Sequence, residues 1–116
     1  IDTISLADAV CVATAEQISC ACNPLIPKYN NVEFGVHLHS SLKNREEKLQ
    51  AALQAGCKRF DGALKGIGGC PMAQNELVGN MDTIFMMEYF KQHNLLNEIN
   101  EDALAESLRI ASEIFV

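Results

Sequence analysis

Two kinds of apolar spacing alternate along this chain, and that alternation constrains its fold more than any other feature. Thr3 to Ala7 sets Ile4 and Leu6 two apart, the period of a strand. Thr14-Ala15-Glu16-Gln17 has the spacing of a capping box, so a helix starts there; Pro24 and Pro27 predict that it stops before them. Val32 to His39 reads as a second strand. A helix is expected from about Lys43 to Ala55, with Leu42, Leu49 and Leu53 on one side, Lys43, Glu46 and Glu47 in water, and Gly56 as its stop. Arg59 to Leu64 is a third strand, and Thr83 to Gln92 a further helix. Asn100 suits the cap of a last helix, with Leu104, Leu108, Ala111 and Phe115 on its buried face. Strands separated by helices imply parallel pairing, hence the α/β class.

The 116 residues suit one domain, and 48% hydrophobic content can supply a core. A formal charge of -6, from 9 Lys+Arg against 15 Asp+Glu, argues against nucleic acid as the main ligand. No apolar run reaches the roughly 18 residues of a membrane span. A bound anion stays compatible with this balance, because a few local groups outweigh a distant net charge. Five cysteines in irregular spacing form no disulfide framework, and no secretory or transit pattern is visible, so a reducing, cytoplasmic compartment is expected. Cys20 and Cys22 lack the spacing of a zinc knuckle. Together with Cys11 and Cys57 they read as small shielded groups.

Four places in the sequence could carry chemistry. His37 and His39 lie two apart on a strand and so share a face. They are either two ligands for one divalent metal or two ordinary polar residues at a strand end. Gly66-Ile67-Gly68-Gly69-Cys70-Pro71-Met72-Ala73 is a glycine-rich turn bearing a thiol. Cys70 is either a reactive group or incidental to a tight turn. The phosphate-loop pattern is absent. Asn80, in Gly79-Asn80, is either a helix cap or a carbonyl ligand to a hard cation. Asp8 either orients a ligand or caps a turn.

Taken together, Ile4-Ser5-Leu6-Ala7-Asp8, His37-Leu38-His39, Gly66 to Ala73 and Gly79-Asn80 resemble the 3-hydroxy-3-methylglutaryl-CoA lyase family, in order and at similar spacing. The resemblance runs from about Ile4 to Phe90, and the Gly-Gly-Cys-Pro loop is its specific part. It implies the C-terminal part of a TIM (β/α)8 barrel, residues 1–116 forming a fragment of one lyase domain whose three strands are the last of the eight. It further implies an acyl-CoA substrate, cleaved to acetyl-CoA and acetoacetate, and a divalent metal, Mg2+ or Mn2+. That ion would be held by His37, His39 and Asn80. Cys70 would then assist proton transfer to the thioester enolate, with Asp8 as an active-site carboxylate. Ser40 stands where the family usually has Asp.

The family's first strand carries an Arg-Asp pair that this sequence lacks, so the chain by itself is expected to be inactive and to associate, as a dimer, through an open strand edge. Ile4, Leu6, Val32, Phe34, Val36 and Phe60 are expected on the face turned towards missing strands. Two alternatives stand beside this reading. One is a barrel synthase of the isopropylmalate or homocitrate kind, which shares the His-x-His pair but not the cysteine loop. The other is a non-catalytic, self-associating fragment.

Overall fold

The computed structural model describes residues 1–8, 12–69 and 79–115. Its centre is a parallel three-stranded sheet in the order β1 (Thr3–Ala7), β2 (Glu33–His37), β4 (Arg59–Asp61). Helices α1 (Ala15–Lys28) and α2 (Arg45–Gln54) make the two crossovers and pack against each other. Two crossovers of the same hand that step in one direction across a sheet leave both helices on one face, as in a barrel wall. A second, antiparallel pair joins β3 (His39–Ser40) to β5 (Gly79–Asn80). Helices α3 (Thr83–Gln92) and α4 (Glu101–Ile114) complete the described chain.

The register sorts strand residues into alternate rows. Ile4 lies beside Phe34, and Leu6, Val36 and Phe60 form the next apolar row. Leu6 and Phe60 pack on the core of Ile18, Cys22, Val36, Leu38, Leu49, Ala52 and Cys57, contributed largely by α1 and α2. The apolar row therefore faces the helices, not an open side as expected from sequence. The opposite row is polar: Ser5, Gly35 and Arg59, then Ala7, His37 and Asp61. Ser5 Oγ donates to Asp61 Oδ2 at 3.4 Å along that face.

α1 begins as expected. The Thr14 hydroxyl accepts from the Gln17 amide at 3.2 Å, and Gln17 Oε1 accepts from the Thr14 amide at 2.9 Å. It does not stop before Pro24, but runs through both prolines to Lys28. Each proline removes one helical donor, and both are exposed, so water can reach the carbonyls left over. Burial of Ile18 and Cys22 holds the helix in place. The second strand is not continuous over Val32 to His39. The Leu38 carbonyl accepts from the Met81 amide at 3.0 Å, and beyond it the chain changes partner from β4 to β5. The third strand ends at Asp61, because Ala63 bridges to Asp82 and a 3-10 turn follows over Leu64–Gly66.

α3 matches its expected bounds, and α4 opens on Asn100, whose side chain accepts from the Ala103 amide. Gly56 takes φ +99 after α2, a conformation a side chain would resist. Leu42 and Phe115 are exposed, contrary to expectation, because both lie outside their helices. No helix among the described residues is long and apolar enough to cross a membrane.

The thiols divide by helix face. Cys20 is exposed, correcting the expectation that it is shielded; Cys22, about 200° further round α1, is buried. Cys57 donates to Cys22 across 3.7 Å, and burial pushes its pKa up to about 12. Native-state labelling followed by peptide mapping should modify Cys20 far faster than Cys22 or Cys57. An unfolded thiol ionises at its ordinary value of 9.0, so the unfolded chain releases this proton first. The corresponding stability is intact below pH 9 and should fall as pH rises towards 12, which a melting series across that range would show.

Candidate metal-binding site

β2 delivers His37 at its C-terminal end, on the polar row beside Asp61. One residue later the chain enters β3, which pairs His39 directly with Asn80. Opposed residues of an antiparallel pair project to the same face. The rings of His37 and His39 lie 5.2 Å apart, centroid to centroid, with an interplanar angle of 84°. The fold thus brings three of the five sequence candidates to one place.

Asn80 has a defined orientation. Its Nδ2 donates to the Ile67 carbonyl at 2.8 Å, which only the amide nitrogen can do. Its Oδ1 is buried and has no hydrogen-bond partner among the described residues, which is a costly state for an acceptor. The glycine-rich turn builds this seat. The Asn80 amide donates to the Gly68 carbonyl at 2.9 Å, and a Cβ on Gly66 would stand 2.9 Å from the Asn80 carbonyl. Gly66 and Gly68 both take positive φ, at 63° and 89°. The capping alternative for Asn80 fails, since Asp82 caps α3 by accepting from the Ile84 amide at 2.9 Å.

Asp8 is buried just past β1. Its carboxylate accepts from the amides of Val12 at 3.0 Å and Ala13 at 3.1 Å. Its own amide donates to the His37 carbonyl at 3.0 Å, extending the ladder towards the site. The Asp8 carbonyl lies 3.2 Å from His39 Nδ1. A carbonyl can only accept, so this bond puts a proton on Nδ1, and in the neutral ring the lone pair then lies on Nε2.

Sequence reading missed Lys48. It sits in α2 with its side chain 3% exposed, donates to the His39 carbonyl at 2.8 Å, and lies 3.5 Å from Asp8 Oδ2. Its neighbours Glu46 and Glu47 are exposed, and a charged run there reads as a solvated face. Cys70 lies outside the described residues, as does Cys11.

A free imidazole nitrogen, a second imidazole and an orphaned amide oxygen suit part of a divalent-metal shell. Carbonyl-type oxygen suits Mg2+ and Mn2+, and imidazole is better tolerated by Mn2+. No group of three His, Cys, Asp or Glu capable of holding a metal occurs among the described residues, so the amide oxygen is what raises this pair to three donors.

No protein-family model matches the chain. It is 33% identical over 101 residues to the (R)-citramalyl-CoA lyase of Chloroflexus aurantiacus, a match spanning 87% of this chain and 32% of that protein. It is 30% identical over 91 residues to the hydroxymethylglutaryl-CoA lyase YngG of Bacillus subtilis, spanning 76% of this chain and 30% of the relative. The structure superposes on the crystal structure of the Bacillus subtilis HMG-CoA lyase with a TM-score of 0.83 at 25% identity, over 97% of this chain and 38% of that one. In sequence and in fold the chain is similar to the HMG-CoA lyase family, in agreement with the resemblance its motifs carry. Its three parallel strands and their helices are a portion of that family's TIM barrel. The chain spans about a third of the length of the curated relatives it matches. As in these lyases, the fold is a barrel wall; its sequence-derived donors collect where β2 ends.

The seat of Asn80 can be tested directly. A Cβ on Gly79 would stand 2.6 Å from the Gly66 carbonyl, a backbone atom that cannot swing aside. Gly79→Ala should therefore lower stability by about 1–3 kcal/mol, read from denaturant unfolding.

Proposed function

We propose that this chain forms the His-Asn part of the active site of a metal-dependent acyl-CoA lyase, which cleaves a 3-hydroxyacyl-CoA to acetyl-CoA and a ketone or oxo acid. The observation that carries it is the buried Asn80 Oδ1, without a hydrogen-bond partner among the described residues, paired across β3–β5 with a histidine whose Nδ1 is engaged by the Asp8 carbonyl. His37, His39 and Asn80 would hold the ion, which supplies Lewis-acid polarisation of the substrate's oxygens when bound. Asp8, the active-site carboxylate of the resemblance, is held by the Val12 and Ala13 amides and by Lys48, and its main-chain carbonyl backs His39. Cys70, placed by sequence resemblance alone, is assigned the delivery of a proton to the thioester enolate as the C2–C3 bond breaks.

The substrate reading has two branches. The 3-hydroxy-3-methylglutaryl thioester, giving acetyl-CoA and acetoacetate, is favoured by the Gly-Gly-Cys-Pro loop. The citramalyl thioester is favoured by the 33% identity to a citramalyl-CoA lyase. The parent enzyme, with the polypeptide that completes its barrel, is expected to release acetyl-CoA from one of these in the presence of Mn2+ or Mg2+. EDTA should abolish the release. His37→Ala and His39→Ala should each weaken Mn2+ binding by more than about tenfold, the lower bound for losing even a supporting partner. Unchanged affinity in both variants would reject the ligand assignment.

The 116 residues alone are assigned no turnover, and lyase activity from them would overturn that part of the reading. Among the described residues β1 pairs only with β2, so its other edge has unpaired amides and carbonyls. Ile4, on β1, and Ile1, just before it in the chain, are exposed. We assign the chain self-association through β1, as a homodimer in the simplest case. Light scattering should give a mass above that of a monomer, and a monodisperse monomer at high concentration would contradict the assignment.

A further inference from the structure

The buried lysine has no place in the reading so far, and burying an ammonium is costly unless its charge is matched and its donors are used. Lys48 meets both conditions at two points that straddle the site. Its Nζ donates to the His39 carbonyl at 2.8 Å and faces Asp8 Oδ2 at 3.5 Å, with side-chain exposures of 3% and 4% for the pair. Asp8 in turn presents its own carbonyl to His39 Nδ1 at 3.2 Å. The ammonium, the Asp8 residue and the His39 residue thus close a ring of contacts. One side of that ring fixes the histidine main chain, and another fixes the imidazole.

We infer that Lys48 is a positioning residue. By tying α2 to both Asp8 and the His39 main chain, it keeps the Asp8 carbonyl against Nδ1 and holds the imidazole in the tautomer whose Nε2 can bind a metal.

Two physical points support this inference. A neutral imidazole in water favours the proton on Nε2, so the opposite form must be enforced by a neighbour. Hydrogen-bond partners behind a ligating histidine set its tautomer and direction. Here the enforcing acceptor is a main-chain carbonyl, which cannot be tuned by substituting its own side chain. Its placement depends on what anchors Asp8. The carboxylate has two amides from the segment after β1, and only Lys48 reaches it from another element among the described residues.

The inference rests on the metal-site reading for its purpose, but its test does not. With 15N-labelled histidine, the ring nitrogen shifts of His39 in the metal-free protein report the tautomer directly. The unmodified protein and Lys48→Arg, which retains a cationic donor, should show His39 protonated on Nδ1. Lys48→Met should shift His39 to a majority protonated on Nε2. If the unmatched Asp8 charge prevents that variant from folding, Lys48→Met combined with Asp8→Asn removes the mismatch and keeps the Asp8 carbonyl. The same shift is expected there.

In parallel, Mn2+ titration should show binding weakened about tenfold in the methionine variant and nearly unchanged in Lys48→Arg. An Nδ1-protonated His39 in the folded methionine variant, single or double, overturns the inference. Absence of Mn2+ binding by the unmodified protein would instead overturn the metal reading. The tautomer comparison would still decide the role of Lys48.

Discussion

A single ammonium group sits where three parts of the chain meet. Lys48 reaches from α2 to the residue just past β1 and to the main chain where β2 gives way to β3. Apolar burial supplies most of the adhesion between α1, α2 and the sheet, but it is not directional. A contact between buried charges adds direction, because a poorly oriented ammonium loses both partners at once. The short β3–β5 pair contains only two residues on each side, too few to be stable without support. Its His39 strand is held by Lys48, and the facing Asn80 strand by the carbonyls of Ile67 and Gly68. The functional candidates are thus seated on a weak ladder clamped on both of its strands.

Much of the fold was legible because its signals are local. The Thr14–Gln17 capping box, the Asn100 cap and the bounds of α3 all depend on residues within a few positions of one another. Sequence failed where a distant partner decided the outcome. Pro24 and Pro27 are ordinary helix breakers, yet burial of Ile18 and Cys22 in the core keeps α1 intact around them. Val32 to His39 looked like one strand because its alternation is unbroken; Leu38 changes partner only because Met81 arrives from far along the chain. The apolar row was assigned to the wrong side for a similar reason. Alternation shows that two faces differ, but not which one the helices cover.

The candidate site was legible by another route. His37, His39 and Asn80 were found from a motif pattern, and the structure brings them together through β-pairing that the pattern does not state. The orientation of the Asn80 amide depends on a carbonyl thirteen residues upstream. Lys48 was invisible because its signal is its burial, and its flanking charges disguised it as part of a wetted helix face.

The parity of β2 has a further consequence. Even positions Phe34 and Val36 are buried, whereas odd positions 35 and 37 belong to the polar row that ends in His37. Adhesion and chemistry are therefore written in alternate letters of one short word. Drift at one set of letters can proceed while the other is held constant. Inserting a single letter would exchange the two sets, turning the imidazole into the helix layer and a valine into the mouth of the site. Such a strand tolerates many substitutions but has almost no tolerance for a change in length, and it would diverge among descendants by replacement rather than by insertion.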